Sequence, residues 1–239
     1  MDKINSEIIL NTEDTLNMLD TLLEKWDQDW WDNFYKKKEK PIPFFVDVPD
    51  ENLVSLIEDN KGPKGKALDI GCGNGRNTQY LDRCGYLSTG IDFSEESIKW
   101  AKKNAIIKKS EAKFINQSFF DFEDEYGSYG LIHDSGCLHH IKPHRREQYL
   151  SKIQDLLSVD GYFSLTCFNL KGGTNISDYD VYKKASMQGG LGYSEDKLRK
   201  VLDPYFDIVE MRAMKELDGG ESFGKDICWV VRMKKHKSN

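Results

Sequence analysis

Apolar positions change their period several times along the chain, and those changes predict the order of its elements. Leu16, Leu19, Leu23, Trp26, Trp30 and Phe34 recur at steps of 3, 4, 3, 4 and 4, which keeps them on one face of a helix. The first forty residues therefore read as helical, ended by the breaker Pro41-Ile42-Pro43. Beyond the breaker, short apolar runs alternate with longer amphipathic stretches. Strands are expected at Ala67 to Ile70, Ser88 to Ile91, Lys113 to Asn116, Gly130 to His133, Tyr162 to Phe168, Ile208 to Met211 and Ile227 to Met233. Helices are expected at Asn77 to Cys84, Glu95 to Lys109, Arg145 to Leu157 and Glu195 to Leu202. Such alternation implies βαβ crossovers, hence an α/β fold with a mostly parallel sheet and helices on both faces.

Local chemistry agrees with this order. Gly85 sits where a helix ends in a left-handed residue, and Ser94 can accept backbone N–H bonds at the start of the next helix, with Glu95 and Glu96 in its first turn. Asp160-Gly161 reads as a turn into a strand, and Lys234 to Asn239 as a fraying end. Between residues 169 and 193 the periodicity fades and glycines accumulate, a long excursion of the kind that covers a site.

The strongest chemical signal is Ala67-Leu68-Asp69-Ile70-Gly71-Cys72-Gly73-Asn74-Gly75-Arg76-Asn77, an apolar strand running through alternating glycines into a helix. Glycine allows a sharp turn and lets a ligand approach bare backbone. Twenty-one residues after Gly71 the second strand ends in Asp92, from which a carboxylate can accept both hydroxyls of a ribose. Together these features predict a nucleoside-containing cofactor over the strand ends. The dinucleotide fingerprint requires a third glycine where this chain has Arg76, which disfavours NAD.

The stretch from Leu68 to Asn77 resembles the cofactor motif of class I S-adenosylmethionine (SAM)-dependent methyltransferases, and its Gly73-Asn74-Gly75-Arg76-Asn77 portion is similar to the tellurite-resistance and thiopurine methyltransferase branch. The resemblance covers residues from about 26 to 233. It implies a three-layer Rossmann-like sandwich, with a seven-stranded, mostly parallel sheet whose last strand is antiparallel, and an N-terminal helical lid over residues 1–45 of a single domain. Residues 46–239 then form the catalytic body, with the insertion at 169–193. By the same resemblance Asp69, Gly71, Cys72 and Gly73 surround the methionine end of the cofactor, Asp92 holds the ribose, and Phe93 lies against adenine. Ser118 and Phe119 match the adenine-edge position; relatives carry Asp where this chain has Ser118, and Gln117 is a substitute. Asp134-Ser135-Gly136-Cys137-Leu138-His139-His140-Ile141 is similar to the motif that follows the fourth strand, which adds Asp134 and Ser135 to the cofactor set. Lys142-Pro143-His144-Arg145-Arg146 resembles the P-x-x-R of thiol, halide and thiopurine methyltransferases, and the [DN]-P-P-[YF] turn of enzymes acting on nucleic-acid bases is absent.

Other clusters are weighed against plainer roles. His139, His140 and His144 show no familiar zinc spacing, so no metal is expected. His139 is the candidate orienting or proton-accepting group, with Asp134 and Arg145 beside it as catalytic candidates; Cys137 reads as packing. Trp30, Trp31, Phe34 and Phe45 are candidates for the lid, because a sulfonium gains from aromatic faces and from exclusion of water. Tyr179, Tyr182 and Tyr193 are candidates for the opposite wall.

Composition narrows the partners. Lys+Arg number 34 against 40 Asp+Glu, a net charge of −6, which argues against a nucleic-acid binder, and Lys36-Lys37-Lys38 and Lys234-Lys235-His236-Lys237 read as solvated runs. No apolar run approaches the roughly 20 residues of a bilayer span, and MDKINSEIIL lacks a basic n-region before an apolar one, so a cytoplasmic protein without membrane contact is expected. Five cysteines without CxxC spacing read as reduced thiols. The expectation is a SAM-dependent methyltransferase, monomer or homodimer. It moves a methyl group to a small-molecule acceptor, a thiol or other soft nucleophile, by direct in-line displacement and leaves S-adenosylhomocysteine (SAH). An NAD(P)-dependent oxidoreductase and a SAM-binding protein without turnover stand as alternatives.

Overall fold

The computed structural model describes residues 8–23, 28–59, 63–217 and 219–236. Its strands are β1 (Lys66–Ile70), β2 (Leu87–Asp92), β3 (Lys113–Asn116), β4 (Tyr129–Ser135), β5 (Leu157–Phe168), β6 (Phe206–Ala213) and β7 (Cys228–Lys235). They form one seven-stranded sheet in the order β3-β2-β1-β4-β5-β7-β6. Pairing is parallel from β3 to β5, while β7 runs antiparallel to both β5 and β6. Each parallel neighbour therefore ends at the same edge of the sheet. A crevice opens outside those carboxyl ends, at the switch point between β1 and β4 where the strand order reverses.

Helices cover both faces. On one, Leu150 and Ile153 of α6 (Arg146–Leu156) and Leu198 and Leu202 of α8 (Glu195–Leu202) pack on Leu68, Ile70, Ile132, Phe163 and Leu165. On the other, Leu53 and Leu56 of α3 (Glu51–Glu58) and Leu81 of α4 (Arg76–Arg83) meet Ala67, Leu131 and Tyr162, and α5 (Glu95–Lys108) buries Ile98 and Ala101 against Phe114. The period-two alternation of β1 thus gives Leu68 and Ile70 to one face and Ala67 to the other.

A row of polar side chains crosses the α3 face in matched register. Asp69 pairs with His133, His133 with Ser164, Ser164 with Arg232, and Arg232 with Glu210. All five find partners across the row or from the helices above: Asp69 accepts the Thr78 hydroxyl, Ser164 Oγ lies 3.1 Å from His133 Nδ1 and accepts from Asn52 at 3.0 Å, and Arg232 donates to Asn52 at 3.2 Å and pairs with Glu210 at 2.9 Å and Asp59 at 3.0 Å. Buried polar groups must be paired in this way to avoid a desolvation penalty.

Several expectations need correction. The single N-terminal helix is two, α1 (Thr12–Thr21) and α2 (Gln28–Tyr35); Trp26 lies outside the described residues, as does Lys237 of the C-terminal basic run. Lys234 and Lys235 continue β7 instead of fraying. Asp160-Gly161 does not open a strand but lies within β5, where the register against β4 shifts between Tyr129 and Leu131. Two helices were not foreseen, α3 and α7 (Asp178–Lys183).

Candidate cofactor and acceptor site

The turn after β1 owes its shape to three glycines with positive φ, Gly71 (63°), Gly73 (54°) and Gly75 (79°), a region costly for any residue with a Cβ. It is also closely covered. A Cβ on Gly71 would lie 2.1 Å from Cys137 Sγ, and one on Gly73 would lie 2.9 Å from the Tyr35 hydroxyl. The turn and its cover line a narrow cleft, with Tyr35, Phe44 and Phe45 on one side and Gly71, Cys72, Gly73, Asn74, Arg76, Asn77 and Ser135 on the other. Gly71→Ala is expected to weaken nucleoside binding strongly by displacing Cys137 into this floor. Cys137→Ala in the same chain should restore part of the affinity, and calorimetry on the single and double variants checks it.

Asp92 ends β2 beside the turn. One carboxylate oxygen accepts the Gly73 N–H at 3.0 Å and the other the Ser94 N–H at 2.9 Å. Burial pushes this carboxyl up to about 6 against the pull of those two amides. Phe93 follows it, half-buried. Arg76, at the position a dinucleotide fingerprint gives to glycine, is 6% exposed and forms an ion pair with Asp50, which is fully buried. Asp50 also faces His133 Nε2 at 3.4 Å. Burial alone would raise Asp50, but Arg76 and His133 outweigh it and hold the carboxyl well below the usual range. Arg76 thereby stiffens the turn, and its Nη2 reaches the Ser135 hydroxyl at 3.4 Å.

The candidates drawn from sequence separate into groups. Gly71, Cys72, Gly73, Ser135 and Phe45 line the cleft, and Asp92 adjoins it through Gly73. Asp69 turns the other way, accepting the Thr78 hydroxyl at 2.6 Å and pinning α4 to β1. Asp134 is engaged inside the protein: it accepts the N–H groups of Cys137 (2.7 Å) and Leu138 (3.0 Å) and the Tyr149 hydroxyl (2.8 Å). Gln117 donates to the Asp121 carbonyl at 2.9 Å, Ser118 Oγ accepts the Phe120 N–H at 3.2 Å, and the Phe119 ring packs on Tyr149 at 5.1 Å.

Arg145 is committed to α1. It binds Asp20 at 2.7 Å, Glu13 at 3.0 Å and Asn17 at 2.9 Å. Lys142 and His144 meet the same Asp20 at 2.9 and 3.1 Å, so the segment resembling P-x-x-R anchors the N-terminal helix. Burial would raise Asp20, but these three donors hold it well below the carboxylate range. Tyr182 is bonded to His144 at 2.7 Å and belongs to that anchor; Tyr179 is exposed, and Tyr193 is buried with Arg146 and Lys197 over its ring. These tyrosines form no wall of the cleft.

The aromatic cluster is continuous. Trp30 and Trp31 contact Phe34, Phe34 contacts Phe45, and Trp31 meets the edge of His140 at 5.1 Å. Two further contributors were not among the residues expected for the lid. Tyr35 lies one helical turn beyond Trp31, a spacing that places both on one face. Asp32 accepts the Ser94 hydroxyl at 2.6 Å and the Glu96 N–H at 3.3 Å, which fixes α2 to the start of α5 and which no local pattern discloses. His139 is buried, stacked on Phe168 at 3.8 Å, and its Nδ1 accepts the Phe168 N–H at 3.2 Å. Burial pushes both neighbouring imidazoles down, His140 to about 4. It pushes the Cys137 thiol well up, in keeping with a packing role.

Among the described residues no group of three or more His, Cys, Asp or Glu is placed to hold a metal ion, and no helix is long and apolar enough to cross a membrane.

Residues 67–161 match a family model described as a methyltransferase domain. An uncharacterized methyltransferase of Schizosaccharomyces pombe is 28% identical over 120 residues, covering 50% of this chain and 83% of that one. A solved structure described as the conversion of a disulfide bond into a thioacetal group during echinomycin biosynthesis aligns with a TM-score of 0.68 at 20% identity, over 87% of this chain and 92% of that one. The 1,6-didemethyltoxoflavin-N1-methyltransferase of Burkholderia thailandensis, with its substrate and SAH bound, aligns with a TM-score of 0.61 at 18% identity, over 98% and 94% of the two chains. These two likenesses establish the fold.

Proposed function

We propose, proceeding from a class I SAM-dependent methyltransferase, that this chain methylates a small soft nucleophile, a thiol foremost, in an aromatic chamber closed by its N-terminal segment. One observation carries the reading: the positive-φ glycine turn lines a cleft, and the buried Asp92 is bonded to that turn through the Gly73 N–H. The donor set fits the cofactor. Gly71 and Gly73 bring bare backbone to the cleft for the methionine part, the remaining acceptor capacity of Asp92 suits ribose hydroxyls, and Phe93 offers an apolar face to a base. Of the solved neighbours, one is described by the conversion of a disulfide bond into a thioacetal group and the other is an N1-methyltransferase of a small molecule, which fits a small acceptor here.

SAM supplies an electrophilic methyl group: the acceptor lone pair forms the new bond to carbon, the sulfonium C–S bond breaks, and its electron pair stays on sulfur. The chain's part is alignment and exclusion of water, worth several kcal/mol when reacting atoms are held in line. Tyr35 and Phe45 cover the glycine turn, and Asp32 and Asp20 fix α2 and α1 on either side of it, the arrangement expected of a lid over residues 1–45. The resemblance to the thiopurine and tellurite-resistance branch belongs to this reading and to no observation beyond the motif.

Titration with SAM against NADH, followed by turnover of methyl-labelled SAM with thiol and phenol panels, tests the proposal. Heat with NADH alone, or SAM binding without labelled product from any thiol, would refute it at the cofactor or the acceptor respectively.

The raised Asp92 carboxyl gives a pH signature. In the folded chain it keeps a proton up to about 6, whereas an ordinary carboxyl ionises near 3.8, so between those values this group stabilises the fold more at lower pH. Ribose hydroxyls favour the ionised form, so binding must expel that proton. SAM affinity is expected to be flat above pH 7 and to fall about tenfold by pH 5, with the fall abolished in Asp92→Asn. Asp134 is pushed up to about 6 as well, and persistence of the slope in Asp92→Asn would assign it there.

A further inference from the structure

His139 follows the end of β4, where the neighbouring strand β5 continues past it. The Phe168 N–H, at the end of β5, points to the side on which β4 has already stopped. The His139 Nδ1 takes the place of the missing strand carbonyl, 3.2 Å away. An N–H can donate only to a lone pair, so Nδ1 carries no hydrogen and the neutral ring holds its proton on Nε2. A second proton would have to enter at Nδ1 and would set two donors against each other. The ring therefore has no site at which to receive a proton from a substrate.

The opposite edge is bordered by glycines, and among the described residues no partner atom binds its Nε2. Gly136 and Gly190 flank it with φ of 106° and 132°. A Cβ on Gly136 would lie 3.5 Å from Cε1 and 4.0 Å from Nε2, and one on Gly190 would lie 3.2 Å from Cδ2. Gly136 follows Ser135, which lines the cofactor cleft. The ring itself cannot swing, being stacked on Phe168 at 3.8 Å. The titratable group beside it is His140, at 4.3 Å between centroids; Gly136, Phe168, Gly190 and Leu191, from the other segments against it, bear no charge.

We infer that His139 is a fixed Nε2–H donor that holds an anionic acceptor atom beside the cofactor, and that the substrates are nucleophiles already ionised on arrival, aromatic thiolates above all. This rests on the methyltransferase reading and adds to it the protonation state of the acceptor. The thiolate sulfur accepts the Nε2–H bond with one lone pair and attacks the methyl carbon with another. The sulfonium C–S bond breaks, and no proton is transferred to the enzyme. Oxygen and nitrogen acceptors that need a base to ionise find none in this ring.

The test uses the full-length protein labelled with 15N-histidine, with SAH added, and 4-nitrothiophenolate and 4-nitrophenolate as probes. His139 is expected to show a directly bonded hydrogen on Nε2 and none on Nδ1 throughout the neutral range, and the Nε2–H resonance should shift on adding the thiolate. His139→Ala should lower kcat/KM for the thiol at least about tenfold, the loss of one bond to a charged group, with SAH affinity unchanged. His139→Gln, which offers a carbonyl to Phe168 and an amide donor but no basic nitrogen, should recover most of it. A hydrogen on Nδ1, or a Gln variant as impaired as Ala, overturns the donor assignment. A shift with the phenolate alone overturns the thiolate class. Absence of SAH binding overturns the underlying methyltransferase reading, and the tautomer of the unliganded protein still decides whether His139 is a donor.

Discussion

Replacing Asp50 by alanine is expected to lower the unfolding free energy by about 3–5 kcal/mol, because it strands the buried Arg76 guanidinium without compensation. Arg76 and His133 each meet a different carboxylate oxygen of Asp50, at a position from which water is excluded. Urea titration of the wild type and variant gives the number directly. The double variant Asp50→Leu with Arg76→Met should recover much of the loss, since apolar groups of similar volume replace a buried ion pair at little cost. A loss under about 1 kcal/mol for Asp50→Ala would mean that the pair is hydrated in solution.

The second large effect is on the cofactor. Asp92→Ala removes the acceptor assigned to the ribose and also releases the Gly73 and Ser94 N–H groups, so the glycine turn loses its lateral tether. Hydrogen bonds to a charged group contribute about 1.5–3 kcal/mol, so SAM affinity is expected to fall at least tenfold, measured calorimetrically on protein whose circular dichroism is unchanged. Equal affinity in the variant would detach Asp92 from the site and remove the main support for a nucleoside.

The two predictions rest on features of different visibility. The glycine turn and Asp92 were legible because both depend on local chemistry: glycine where φ is positive, and a carboxylate at the end of a short apolar run. The βα boundaries from Lys66 to Lys108 were legible for the same reason, since each helix begins or ends at a residue whose conformation is set locally, as at Ser94 and Gly85. Asp50 was not. Its meaning depends on the sheet register that brings His133 beneath it, and register exists only once the strands have paired. α3 was hidden because its buried face includes Glu51 and Asn52, which reads as surface in an apolar count; Arg212 satisfies one and Ser164 the other.

His139, Asp134 and Arg145 show the limit most clearly. Residue type placed them together as catalytic candidates, but their neighbours give them three tasks: a tautomer set by an amide 29 residues away, a clasp on the following turn, and an anchor for α1. Chemistry-bearing residue types are therefore weaker guides than the partner each atom finds.

The polar row beneath the cleft has a bearing on how this scaffold can be rebuilt. Because Arg232 on the penultimate strand of the sheet is linked through Asn52 and Ser164 to His133, and so to the pair that braces the glycine turn, the nucleoside half and the carboxyl-terminal half are not interchangeable modules. A chimera that imported another enzyme's final hairpin to change its acceptor would inherit a hole at the far end of that chain of bonds, unless a guanidinium opposite residue 52 travelled with the graft.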